Sequence, residues 1–134
     1  GMGAPNQIQR VLEAMIQANI PLEKLALHLH DTRGMGVVNA FAAYEAGIRR
    51  FDGCLGGLGG CPWAPGATGN VVLEDMAFMF EGMGLRTGID LKKLCAVRDI
   101  IIRELPNEPL CGGLAKAGLP LNFSQATTLS AAAE

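Results

Sequence analysis

The chain has 134 residues, a length typical of one domain with its own buried core. Apolar residues make up 49% of it and the formal net charge is −2, a composition that excludes an intrinsically disordered chain. Acidic residues (13) slightly outnumber basic ones (11) and no basic run occurs, which argues against nucleic acid or an anionic membrane surface as a partner.

The absence of targeting signals and the spacing of the cysteines indicate the cellular location and the redox state expected of the protein. No apolar stretch approaches the roughly 20 residues of a transmembrane helix, and the first residues lack the charged and apolar regions of a signal peptide. We therefore expect a cytoplasmic protein. The four cysteines form no C-x-x-C pair, and without a secretory signal they are expected to be free thiols: Cys54, Cys61, Cys95 and Cys111.

The first half of the chain alternates helical and strand patterns. Apolar residues at helical spacing predict a helix over residues 5–19, and the short apolar run 25–29 predicts a strand. A second helix is predicted over about 35–46, and a second, less apolar strand over 48–55. This alternation with short links predicts parallel strands joined by right-handed crossovers.

Capping residues mark the starts of three of the predicted helices. Asp31 or Thr32 is expected to cap the second helix. After a glycine-rich loop, Asn70 is expected to cap the third helix and Asp90 the fourth, which covers residues 91–105.

The number of predicted strands is too small for an independent sheet. Two parallel strands of the type buried on both faces do not form a stable sheet alone. The chain is therefore either part of a larger sheet or completes its sheet with copies of itself. From residue 109 onward small residues dominate, which indicates an extension packed on a partner or a partly disordered segment.

The run Leu25-Ala26-Leu27-His28-Leu29-His30-Asp31 carries two histidines at the carboxyl end of the first predicted strand. Side chains alternate along a strand, so His28 and His30 point to the same face and can reach one metal ion. Imidazole is a common metal ligand, and parallel α/β folds keep their chemistry at the carboxyl ends of strands. The plain alternative is that both histidines are hydrogen-bonded to neighbours at a strand end.

The glycine-rich stretch GGLGGCPWAPGATGN, residues 56–70, is the second informative segment. Glycines let the backbone approach a ligand closely. Cys61 lies among them near a predicted helix N-terminus, a setting that lowers a thiol pKa and suits proton transfer or nucleophilic attack. Asn70 offers a hard oxygen ligand for Mg²⁺ or Mn²⁺. The alternative interpretation is a flexible linker with an incidental thiol.

Three segments together resemble 3-hydroxy-3-methylglutaryl-CoA lyase and its close bacterial relatives: LALHLHDTRGMG, DGCLGGLGGCPWAPGATGN and LEDMAFMFEGMGLRTGIDL. The resemblance covers residues 1–94 and extends more faintly to residue 125. The cysteine loop is its specific part. Related metal-dependent aldolases, carboxyltransferase domains and 2-isopropylmalate-type synthases share the H-x-H strand end but differ in that loop.

The resemblance implies a TIM (β/α) barrel with a divalent metal cation, Mg²⁺ or Mn²⁺, at its C-terminal face. On this basis His28, His30 and Asn70 are the metal ligands. The implied reaction is a retro-Claisen cleavage of 3-hydroxy-3-methylglutaryl-CoA to acetyl-CoA and acetoacetate. His28 would take the hydroxyl proton, and Cys61 would protonate the departing enolate.

The chain is too short for the whole barrel, which needs roughly 200 residues or more. We expect a C-terminal fragment of the barrel: an α/β unit of two parallel strands with flanking helices, plus C-terminal helices. Residues 1–106 are assigned to the partial barrel and residues 107–134 to a C-terminal extension. The family's first strand, with an aspartate ligand and an arginine, has no counterpart here, so the isolated chain is expected to be inert.

Two other interpretations stay open. The first is a related aldolase acting on 4-hydroxy-2-oxo acids, against which the Cys61 loop speaks. The second is a non-catalytic oligomerisation module in which open strand edges pair with another copy. The expected partners are a small-molecule acyl-CoA substrate and either a homo-oligomer or the missing N-terminal portion of the barrel.

Overall fold

The computed structural model describes residues 1–60 and 69–125. The elements follow one another as α1 (Pro5–Gln17), β1 (Leu27–His28), α2 (Gly36–Glu45), β2 (Phe51–Asp52), α3 (Leu73–Gly82), α4 (Leu91–Glu104) and α5 (Gly113–Ala117). Single 3-10 turns lie at Leu22–Lys24 and Leu55–Gly57. None of the helices in the two described ranges has the length and apolar character needed to cross a membrane.

The two strands are parallel, with Leu27 opposite Phe51 and His28 opposite Asp52. This confirms the predicted α/β arrangement of parallel strands and flanking helices. Both strands are shorter than the predicted ranges 25–29 and 48–55, because the ladder pairs only two residues of each. In the part of the chain that the structure describes, the sheet has two strands, and beyond the ladder the predicted strands are bonded to residues 69–72 at single positions such as Cys54, opposite Val72.

Residues 69–72, named here the bridging segment, run between the ends of the two strands. Val71 N–H donates to Leu29 O (2.9 Å), and Val71 O accepts from Cys54 N–H (3.1 Å). The segment is thus antiparallel to the chain that continues β1 and parallel to the chain that continues β2. One fully buried residue, Val71, therefore connects the two strand ends.

Of the predicted helix caps, Asp90 is confirmed and Asn70 is wrong, and Asp31 bonds the start of α2 although the N-cap residue of that helix is Met35. Asp31 Oδ1 accepts the N–H of Gly36, the first residue of α2, at 2.5 Å. Asp90 accepts Lys93 N–H at 3.1 Å, and this hydrogen bond lowers the pKa of the Asp90 carboxyl. Asn70 caps no helix, because α3 begins at residue 73 and the backbone of Asn70 belongs to the bridging segment.

Within residues 1–60 and 69–125 the buried apolar residues form three clusters between packed elements. The first lies between the sheet, α2 and α3, the second between α1 and α2, and the third between α3, α4 and α5. Their buried members are Leu29, Ala40, Val71, Met76 and Phe80, then Leu12, Ala43 and Ile48, then Ala77, Leu91 and Leu114. Successive helices from α1 to α4 therefore pack on one another, and α5 packs back on α3.

Part of the chain after α4 packs on helices of the same chain. The first two N–H groups of α5 donate to the two oxygens of Asp75 on α3, at 2.8 and 2.7 Å. Gln125 accepts Leu91 N–H at 3.0 Å and donates to Ile89 O at 2.7 Å, so it holds the start of α4. The segment up to residue 125 is therefore docked on α3 and α4, and residues 126–134 lie outside the described ranges.

A buried ion pair joins α3, α4 and the start of the glycine-rich loop. Glu74 is completely buried, and both of its carboxylate oxygens lie 3.0 Å from the N–H of Gly56. Arg98 Nη1 lies 3.2 Å from Glu74 Oε1 and donates to Cys111 O at 2.6 Å. Since a buried carboxylate without partners is costly, these contacts fix where the loop begins.

Replacing Arg98 with leucine is expected to lower the free energy of unfolding by about 3–5 kcal/mol, because Glu74 would keep a buried charge without its counterion. Urea denaturation followed by circular dichroism measures the loss. Arg103→Leu on the same helix is the matched control, since the Arg103 side chain is 71% exposed and its ion pair with Glu104 is on the surface. Equal losses in the two variants would contradict the structural role of the buried pair.

Candidate active site

The two histidines lie at the carboxyl end of β1, with ring centroids 5.3 Å apart and rings nearly perpendicular. Their proximity is what alternation along a strand predicts for residues two positions apart. The His28 side chain is 54% exposed, so it is open to a ligand or to a further part of a barrel. The Nδ1 atom of His30 is buried and has no hydrogen-bond partner among the described residues.

His28 has a carboxylate partner that the sequence analysis missed. Its Nδ1 lies 2.6 Å from Oδ1 of Asp52, the residue directly opposite it in the ladder. In the sequence, Asp52 reads only as a residue that makes the second strand less apolar. The available signal was the register: once β1 and β2 are parallel neighbours, the carboxyl end of β2 lies beside the histidine strand.

Asn70 lies next to His30 because the bridging segment pairs with the chain after β1. Its amide nitrogen is 2.8 Å from Leu58 O and 3.1 Å from Cys54 Sγ. These two contacts use the N–H groups of the Asn70 amide, so its oxygen, Oδ1, is the polar atom that is left to bind something else. Oδ1 is buried and has no partner among the described residues, as expected of an oxygen kept for a ligand.

Glycine is required where the bridging segment begins. A Cβ on Gly69 would collide with the carbonyl oxygens of Gly57 and Gly59, which pass directly beside it. Gly57 and Gly59 themselves have positive φ angles of 70° and 89°, which glycine adopts without strain. The glycines of this stretch therefore let two backbone segments pack against each other next to Asn70.

A cavity of about 210 Å³ opens beside Asn70 on the same side as the strand ends. Its lining comes from four parts of the chain, namely the turn after β1, Gly57 in the 3-10 turn after β2, the bridging segment and the chain after α4. Residues that line it include Asp31, Thr32, Asn70, Val72 and Cys111. Nothing in the sequence around Cys111 indicated that it lines this cavity, because it arrives there only when the chain after α4 folds back. Its N–H then donates to Gly56 O at 2.8 Å.

The described residues offer only some of the ligands that a metal ion needs. In residues 1–60 and 69–125 no group of three or more His, Cys, Asp or Glu side chains is arranged to hold a metal ion. His28, His30 and Asn70 are brought together, and the orphaned Asn70 oxygen fits a hard cation. Oδ1 of Asp31 already accepts the first N–H of α2. Cys61 lies outside the described residues.

Comparison with known proteins identifies the family of the chain. Residues 1–101 match the family model described as HMGL-like. The chain belongs to the HMGL-like family. The resemblance drawn from the histidine strand and the cysteine loop is thereby confirmed.

Individual proteins that are similar to this chain support the same family assignment. The (R)-citramalyl-CoA lyase of Chloroflexus aurantiacus is 46% identical over 118 residues, which are 88% of this chain and 37% of that protein. A hydroxymethylglutaryl-CoA lyase of Bacillus subtilis is 48% identical over 110 residues, 82% of this chain and 36% of that protein. The chain thus spans little more than a third of the length of these HMGL-like relatives.

Solved structures confirm the predicted fold. An HMG-CoA lyase from Acinetobacter baumannii, in complex with coenzyme A and 3-methylmalate, matches with a TM-score of 0.82 and 44% identity, over 92% of this chain and 40% of that one. An HMG-CoA lyase from Pseudomonas aeruginosa matches with a TM-score of 0.80 and 38% identity, over 87% of this chain and 38% of that one. The chain is a part of the HMGL-like TIM barrel.

We expect this HMGL-like chain to bind Mn²⁺ at one site, and weakly, because the predicted ligands His28, His30 and Asn70 are two imidazoles and one amide, with no carboxylate among them. Isothermal titration calorimetry measures the affinity. Binding should be lost in His28→Ala and Asn70→Ala.

Asn6→Ala is the matched control for Asn70→Ala, since Asn6 lies exposed on α1. It should bind Mn²⁺ like the unchanged chain. Saturable binding that survives His28→Ala, or none in the unchanged chain, would count against a preformed half-site.

Proposed function

We propose that this chain carries the last βα units of a divalent-metal-dependent lyase that cleaves 3-hydroxy-3-methylglutaryl-CoA to acetyl-CoA and acetoacetate. The observation that carries the proposal is the placement of Asn70 beside the histidine pair with its oxygen buried and unpartnered. Residues 1–106 are assigned to the barrel and residues 107–134 to an extension. Membership of the HMGL-like family supports the reaction class.

The proposed cation site consists of His28, His30 and Asn70, with Mg²⁺ or Mn²⁺ as the metal. When bound, such a cation supplies Lewis-acid polarisation of the substrate's hydroxyl and carbonyl oxygens. The further ligands belong to a part of the barrel outside this chain. On its own the chain presents half of the site.

The proposed chemistry of the chain itself is the movement of two protons. A base removes the proton of the C3 hydroxyl, the C2–C3 bond breaks, and the hydroxyl carbon becomes the ketone of acetoacetate. The electron pair of the broken bond forms the enolate of acetyl-CoA, and Cys61 donates a proton to its carbon. Cys61 is assigned this role by the family resemblance.

The proposed base is His28, and the structure limits how it can act. When Nδ1 of His28 donates to Asp52 Oδ1, 2.6 Å away, the lone pair of the neutral imidazole is on Nε2. Metal ligation and proton removal would use the same nitrogen, so they exclude one another at any moment. His28 is therefore proposed first as a ligand, and as base only in a step in which Nε2 is not coordinated.

A second substrate is favoured by one of the relatives. The protein from Chloroflexus aurantiacus that is 46% identical is a citramalyl-CoA lyase. Citramalyl-CoA has the same 3-hydroxy-3-methyl thioester arrangement as 3-hydroxy-3-methylglutaryl-CoA, but its carboxylate is one methylene closer. Since one methylene changes specificity by only about 10–200-fold, both substrates belong in the test.

The proposal is tested in a chimera in which this chain replaces the matching C-terminal part of the Bacillus subtilis lyase. With Mn²⁺ present, the chimera should release acetoacetate from 3-hydroxy-3-methylglutaryl-CoA, and the His28→Ala chimera should lose at least about a hundredfold in rate, the lower range for a general base. Pyruvate release from citramalyl-CoA measures the second substrate. A folded chimera that cleaves neither thioester would overturn the proposal.

The chain alone is expected to cleave neither thioester, because it presents two imidazoles and an amide without the rest of the cation site. The same coupled assays, run on the purified chain with Mn²⁺, measure this. Sustained turnover by the chain alone would show that the described half-site, with Cys61, is sufficient.

A further inference from the structure

We propose that Asp52 is a positioning residue for His28: its carboxylate holds the imidazole in the form protonated on Nδ1 and leaves Nε2 free for a ligand. The inference concerns the orientation and tautomer of His28. It rests on the proposed function only for the identity of what Nε2 binds.

The contact joins two neighbouring strands at matched positions. His28 and Asp52 are ladder partners, so their side chains leave the same face of the sheet. Their Nδ1 and Oδ1 atoms are 2.6 Å apart, a short hydrogen bond of the charge-assisted kind. Parallel pairing fixes both backbones, so this contact follows from the register rather than from a flexible loop.

The chemistry of the two groups determines where the proton lies. An ionised carboxylate only accepts hydrogen bonds, so Nδ1 of His28 must be the donor. A neutral imidazole then has its lone pair on Nε2, the atom that could bind a cation. An unrestrained neutral histidine in water prefers the opposite tautomer, so Asp52 would impose a state that His28 does not choose by itself.

The other histidine provides an internal comparison. His30 Nδ1 is buried and has no partner among the described residues, whereas His28 Nδ1 has a carboxylate. His28 is 54% exposed and Asp52 62% exposed, so packing holds neither side chain tightly. The hydrogen bond to Asp52 and the edge contact with the His30 ring are therefore the contacts that orient the His28 ring. Carboxylate–histidine pairs of this kind orient metal ligands and raise their basicity.

The direct test is ¹⁵N NMR of the imidazole nitrogens in the metal-free chain, at a pH where His28 is neutral. The unchanged chain should show His28 with a protonated Nδ1 and an unprotonated Nε2. In Asp52→Asn the populations should move toward the Nε2-protonated form. Asp99→Asn, an exposed substitution on α4, is the matched control and should leave the His28 signals unchanged.

The second readout is the affinity of the chimera for Mn²⁺, which Asp52→Asn should lower by about 10–100-fold and Asp99→Asn should not change. The inference is overturned if the unchanged chain already has His28 protonated on Nε2, or if Asp52→Asn leaves the tautomer of His28 as in the control. The NMR result needs neither metal nor substrate. If Asp52→Asn shifts the tautomer but the chimera is inactive, only the proposed function is contradicted. If Asp52→Asn does not shift the tautomer but the chimera is active, only this inference is contradicted.

Discussion

The hydrogen bonding of Val71 to both strand ends is the constraint on which the rest of the site depends. One residue accepts from Cys54 on one side and donates to Leu29 on the other, in a fully buried position. A buried backbone group without a partner is costly, so neither strand end can move independently of the bridging segment. This places Asn70 beside His30, directs its amide toward Leu58 and Cys54, and starts α3 three residues later.

Features set by local pattern were predictable from the sequence. The helices, the histidine strand and the Asp90 cap depend on periodicity and on neighbours within a few residues. The strand lengths were overestimated because apolar character extends beyond the residues that find a ladder partner in this chain. Asn70 shows the limit of local reasoning: its type and position suit a helix cap, but long-range backbone pairing uses it elsewhere.

The contacts that the sequence did not reveal all join distant segments. Asp52 becomes a partner of His28 only through parallel register, and Arg98 reaches Glu74 only when α4 packs on α3. Composition and spacing carry no mark of either pairing, since each charged residue could equally lie on the surface. The family resemblance supplied the expected roles of the ligands. The structure revealed the Asp52 carboxylate beside His28 and the buried ion pair of Glu74 and Arg98.

The bridging segment follows both strands in the sequence, and this has a consequence for how such a chain folds during synthesis. The histidine strand is made before its partners: Asp52 leaves the ribosome only after a complete helix, and Val71 only after the glycine-rich stretch that follows β2. Until then Leu27 and Leu29 belong to an unpaired apolar strand, the kind of segment that associates wrongly or recruits chaperones. Non-local pairing of this sort also slows folding. The order of residues along the chain thus delays assembly of the half-site until residues 69–72 have been made.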